Sequence, residues 1–132
     1  MKRVVLDASA LMSFFEDRSG AQKVEELISL AVEGKRELLM SVVNWGEVYY
    51  SVWRAKGPEA AKEVVAKIAQ LPIEIVGADV ELTGLAAELR AQRKLPYADC
   101  FAAALAKQRK AQIATSDRDF SVVDSESSVV WI

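Results

Sequence analysis

The chain has 132 residues, of which 52% are hydrophobic and 27% charged, with three prolines, six glycines and a net charge of −2. These proportions exclude disordered and fibrous classes and fit one globular domain spanning residues 1–132. No histidine is present and Cys100 is the only cysteine, which excludes Ser-His-Asp and Cys-His catalysis, an intrachain disulfide and a Cys-rich zinc site.

In chain order, Val4-Val5-Leu6 predicts a buried strand that ends at Asp7, and Ala8–Glu16 predicts a helix. Over residues 21–33 the apolar positions Val24, Leu27, Ile28 and Ala31 follow helical spacing, with Gly34 at the C-terminal cap. Leu38-Leu39-Met40 reads as a second strand. A helix follows over about Val43–Lys56, closed by Gly57-Pro58, and another covers 59–70 and stops at Pro72. Ile73–Val76 is a third strand. Asp79 caps a helix over 79–93, and Pro96 separates it from one over 98–110. Ile113-Ala114-Thr115 and Val129–Ile132 are the last two strands, joined by a polar, loop-like segment from Ser116 to Ser128.

Short apolar strands alternating with helices predict a parallel sheet of about five strands covered on both faces, an α/β fold. Ligands of such sheets bind at the carboxyl ends of strands. Asp7 and Asp117 follow the first and fourth strands, and Glu47 lies one turn into the helix after the second. Asp99 begins a helix that follows another helix, so topology alone does not fix its edge. Asp7, Asp99 and Asp117 taken singly also read as helix caps. Taken together, three or four converging carboxylates repel one another unless a cation neutralises them. With no histidine or thiolate cluster available, that cation is a hard, oxygen-ligated one such as Mg²⁺ or Mn²⁺.

Charge is uneven. Residues 89–118 carry Arg90, Arg93, Lys94, Lys107, Arg109, Lys110 and Arg118 against only Asp99 and Asp117, a local charge of +5 in an acidic chain. The segment reads either as solvated helix ends or as a contact for a polyanion. The apolar stretch after Met1-Lys2-Arg3 is too short for a signal peptide, and the longest apolar run, Cys100–Ala106, is too short to span a bilayer. The expected location is cytoplasmic, away from membranes. Trp45, Tyr49 and Trp53 form a stripe about 160° from Glu47 around their helix, which suits either core packing or a partner surface.

The residues resemble the PIN-domain family, and the single-domain length resembles its VapC-type toxin ribonucleases. The opening strand with Asp7 and Ser9, Glu47 in Ser41–Glu47, Asp99 in Leu95–Ala104, and Asp117 with Asp119 in Thr115–Phe120 match the family's motifs in order. The resemblance implies a three-layer α/β/α sandwich. It implies a Mg²⁺- or Mn²⁺-dependent endoribonuclease, the toxin of a toxin–antitoxin pair, usually a homodimer held inactive by its cognate antitoxin. Asp7, Asp99 and Asp117 become metal ligands and Glu47 a ligand or base. Asp119, Ser9 and Thr115 are auxiliary, and the seven basic residues above are contacts for the RNA substrate. A catalytically silent PIN-like module that binds RNA or protein is the alternative. A phosphoacceptor receiver or a haloacid-dehalogenase-type phosphatase fits poorly, because Leu6-Asp7-Ala8-Ser9 supplies neither an acidic pair nor Asp-x-Asp.

Overall fold

The computed structural model describes residues 2–124 and 128–132. Five strands, β1 (Lys2–Leu6), β2 (Arg36–Ser41), β3 (Ile73–Val76), β4 (Gln112–Thr115) and β5 (Val129–Trp131), form one sheet in the order β3-β2-β1-β4-β5. All four pairings are parallel. Six helices connect them: α1 (Ala8–Phe15), α2 (Ala21–Val32), α3 (Val42–Lys56), α4 (Pro58–Ala69), α5 (Val80–Gln92) and α6 (Tyr97–Arg109).

Alternation along the strands builds the layers. Val4, Leu6, Leu38, Met40 and Ala114 pack on one face with α1 to α4. Val5, Leu39 and Ile113 point to the other face and pack with Leu82, Ala86 and Leu89 of α5 and with α6. The result is the expected α/β/α sandwich. In α6 every residue from Asp99 to Ala106 is buried. Four of these eight are alanines, small enough to let neighbouring backbones approach a helix on all sides.

From β1 the chain builds outward through β2 and β3, then crosses by α5 and α6 to β4 on the other side of β1. The topological switch point therefore lies between β1 and β4, at whose carboxyl ends the connections leave in opposite directions and form a crevice. Gly20 closes one side of the fold. A Cβ there would lie 3.0 Å from the carbonyl carbon of Ile132, so glycine permits the C-terminus to pack against it.

One expected element differs. The polar segment after β4 contains a 3-10 helix over Arg118–Val123, anchored by buried Phe120 and Val123. Two apolar residues three apart are enough to fold a short turn onto the α6 face, although the surrounding composition is that of a loop. Residues 125–127 of the expected loop lie outside the described residues.

Candidate active site

The predicted acids meet at the switch point. Asp7 leaves the end of β1 and is 2% exposed. It caps α1, with Oδ1 accepting from Ala10 N at 2.9 Å and from Ser9 Oγ at 2.7 Å. Its Oδ2 accepts from Thr115 Oγ1 at 2.6 Å. Thr115 is the last residue of β4 and is fully buried. The same hydroxyl accepts from Asp117 N at 2.9 Å, and Ser116 N donates to Ser9 Oγ. Ser9 and Thr115 thus weave the ends of β1 and β4 into one frame that fixes the side chain of Asp7 and the backbone of Asp117.

Asp117 caps the 3-10 helix, its Oδ1 accepting from Asp119 N at 2.9 Å. Asp99 caps nothing. Pro96 holds the cap position of α6, and Asp99 sits inside the first turn, buried. The capping expectation is met at Asp7 and Asp117 and corrected at Asp99, whose carboxylate turns toward the other acids. Carboxylate oxygens of Asp99, Asp117 and Asp119 lie within 4.8 Å of one another. Asp119, expected only to assist, stands in this tightest group, whereas both oxygens of Asp7 are engaged by neighbouring donors.

The electrostatics reflect crowding. Burial, followed by repulsion from Asp117 and a hydrogen bond to it, pushes Asp99 up to about 8, with Glu47 and Asp7 adding to the effect. Burial pushes Asp7 up to about 6, against the lowering effect of its three donors. Glu47 is raised by burial and by Asp117, and lowered by a hydrogen bond from Asn44. Asp117 thus acts electrostatically on all three of the other expected acids.

Asn44 has no counterpart among the predicted site residues. It lies one turn before Glu47 on α3 and is fully buried. Its Nδ2 donates to Glu47 Oε1 at 2.8 Å and to Ala98 O at 3.1 Å. Among the described residues its Oδ1 has no partner. An uncompensated buried acceptor of this kind costs ~1–3 kcal/mol. The only sequence signal was a polar residue on the helical face of Glu47.

The expected basic residues separate into two groups. Arg90, near the end of α5, is close enough to influence Cys100 beside Asp99, and Arg93 and Lys94 lie in the turn into α6. Arg118 adjoins Asp117 and stacks on Trp131, 4.4 Å from the ring centroid. Lys107, Arg109 and Lys110 lie at the other end of α6, roughly 12–16 Å along its axis from Asp99 at 1.5 Å per residue. Arg109 is committed there to Glu74 at 3.4 Å, and its carbonyl accepts from Arg3. The aromatic stripe also divides. Trp45 and Tyr49 pack partly against the core, whereas Trp53 is 45% exposed beside Tyr50 at 50%. Cys100 is buried, its thiol 3.5 Å from Leu95 O and its pKa raised by burial.

The donor set consists of carboxylates, hydroxyls and backbone groups, which suits a hard divalent cation. The raised proton affinity of Asp7, Glu47 and Asp99, due first to burial and then to neighbouring carboxylates, fits such a cation electrostatically as well. The sequence matches the PIN domain family over residues 4–126. The chain belongs to the PIN domain family. No curated protein matches this PIN domain significantly in sequence. Its fold is similar to solved structures of VapBC proteins. One is from VapBC2 of Rickettsia felis bound to a DNA fragment from their promoter, with 16% identity, 97% of each chain covered and a TM-score of 0.77. Another is VapC20 of Mycobacterium tuberculosis, a sarcin–ricin loop cleaving toxin, with 15% identity, 94% of this chain and 95% of that one covered and a TM-score of 0.71. A third, VapBC-5 of Mycobacterium tuberculosis, belongs to the VapBC family of toxin–antitoxin systems. It has 24% identity, 100% and 98% coverage and a TM-score of 0.68. Among the described residues, no helix of the PIN domain is long and apolar enough to cross a membrane.

Proposed function

We propose that this PIN domain is a Mg²⁺- or Mn²⁺-dependent endoribonuclease, the toxin of a cytoplasmic toxin–antitoxin pair. The observation that carries the reading is the convergence of Asp7, Glu47, Asp99, Asp117 and Asp119 on the switch point, in a chain with no histidine to serve as a base. Similarity in fold to VapC20 and to the VapBC complexes supports the substrate class and a protein antitoxin. Exposed Tyr50 and Trp53, and a groove with an apolar floor of Met12, Phe15, Val52 and Val64 rimmed by Glu16, Lys56, Glu63 and Lys67, are surfaces suited to an antitoxin and a second copy of the chain.

Asp99, Asp117 and Asp119 would hold the cation, with Asp7 and Glu47 beside it. When bound, the cation supplies an activated water and charge stabilisation at the scissile phosphate. Ser9 and Thr115 keep Asp7 in one rotamer, so that the carboxylate needs no reorganisation when substrate arrives. Asp99 would bind the cation as a carboxylate, in competition with a proton. Arg118, next to Asp117 in the chain, and Arg90, Arg93 and Lys94, which precede α6, are the basic residues that would draw the RNA backbone toward the acids. The other three basic residues lie too far from Asp99 to contact the phosphate being cut.

The test is cleavage of a mixed cellular RNA pool by purified protein with Mg²⁺, with EDTA, and with Asp7→Asn. Cleavage that needs Mg²⁺ and disappears in the variant is expected. Metal-independent cleavage, or cleavage unchanged in Asp7→Asn, would overturn the reading. RNA binding without cleavage would favour the silent binding module instead.

A further inference from the structure

We infer that Asn44 is a positioning residue that sets the affinity of the acid cluster for its divalent cation by clamping Glu47 to the start of α6. The inference rests on the metal-dependent reading above. Glu47 stands on α3 and Asp99 on α6. Asn44 ties the two helices together beside both residues. One Nδ2 proton is given to Glu47 Oε1 at 2.8 Å and the other to the carbonyl of Ala98, the residue before Asp99, at 3.1 Å.

The amide has one workable orientation. Turned over, Oδ1 would face two acceptors, and both hydrogen bonds would become repulsions. In the observed orientation Oδ1 is buried without a partner among the described residues. A side chain chosen for stability alone would be apolar at a position with no exposure. Asparagine here donates twice and leaves its acceptor idle, which suits a part whose function is donation. Groups that orient metal-binding side chains in this way commonly change metal affinity ~10–100-fold when removed.

The experiment is Mn²⁺ binding to the purified protein, read by electron paramagnetic resonance and calorimetry without RNA, with thermal melts as the check on folding. Asn44→Leu keeps an apolar fit at a position with no exposure, and Asn44→Ala gives a second variant if leucine overpacks. Both are expected to weaken Mn²⁺ binding about 10-fold or more, and Asn44→Thr, which restores one donor, to recover part of it. In a Glu47→Ala background the loss caused by Asn44→Leu should shrink toward nothing, because the clamp no longer has a carboxylate to hold. A folded Asn44→Leu protein that binds Mn²⁺ as tightly as the parent would overturn the inference. So would a loss that persists undiminished beside Glu47→Ala. If the parent itself binds no Mn²⁺, the metal-dependent reading fails, and the inference with it.

Discussion

Without divalent cation, the protein should lose stability as pH rises from 5 to 8. Asp7 has a pKa of about 6 in the folded chain and 3.8 in the reference state, and Asp99 one of about 8 against the same 3.8. Both are raised, so the folded state binds more protons than the unfolded state between these limits. Stability is then greatest at low pH and falls as pH climbs toward each folded value. Asp7 accounts for about 1 kcal/mol of the fall between pH 5 and its pKa, and Asp99 continues the slope toward pH 8. A total loss on the order of a few kcal/mol lowers Tm by roughly 10 °C for a domain of this size. The window is unusually clean, because the chain has no histidine to titrate in it.

The assay is thermal unfolding followed by circular dichroism in EDTA, at constant ionic strength, at half-unit steps of pH. Asp7→Asn should remove the lower part of the slope and Asp99→Asn the upper part, with both variants more stable than the parent at pH 8. Mg²⁺ or Mn²⁺ at about 100 times its dissociation constant should restore about 2.7 kcal/mol at pH 8 and little at pH 5, where protons compete for the same oxygens. A Tm that is flat or rises from pH 5 to 8 in EDTA would refute the argument that these carboxylates are buried at mutual expense.

Thr115→Val keeps the shape but leaves Asp7 Oδ2 and Asp117 N without their shared partner; it should cost ~1–3 kcal/mol at pH 8 and less at pH 5, by urea unfolding. Arg90→Ala with Arg118→Ala should lower RNA affinity and flatten its salt dependence by about two counterions, whereas Lys107→Ala with Lys110→Ala should leave the slope near its parent value in filter-binding titrations. Gly20→Ala should lower Tm, because its Cβ meets the Ile132 backbone at 3.0 Å. Gly46→Ala, with nothing within 4 Å and a place inside α3, should raise stability by ~0.5–1 kcal/mol.

The strands were legible because a sheet covered on both faces imposes apolar residues at successive positions, and Val4–Leu6 and Leu38–Met40 carry that mark without context, whereas the edge strand Ile73–Val76 shows it less fully, with Glu74 inside it. Asp7 was legible for the same reason, as the first polar residue after a buried strand. Asp99 was not, because a helix that follows a helix has no strand to orient it. Only the folded pairing of α5 with α6 brings its first turn to the crevice. The basic residues are a different case. Their closeness in sequence hides that α6 is a rod, which carries Lys107 and Arg109 to the opposite end from Asp99. Asn44 was invisible as a functional group because its second hydrogen bond crosses to Ala98, a contact that no local pattern encodes.

On the metal-dependent reading, capping and function, set apart when the acids were read one at a time, are joined at Asp7 and Asp117. A cap must be rigid and turned toward free N–H groups, and a metal ligand must be rigid and dehydrated. The turn after a parallel strand satisfies both demands with one carboxylate. At Asp7 the cap and two hydroxyls supply three donors, yet burial still outweighs them and leaves the pKa near 6. The frame is therefore strong enough to hold the carboxylate in place but too weak to neutralise it. That imbalance leaves the crevice short of positive charge in the cation-free protein, which is why divalent cation and pH should act on stability in opposite directions.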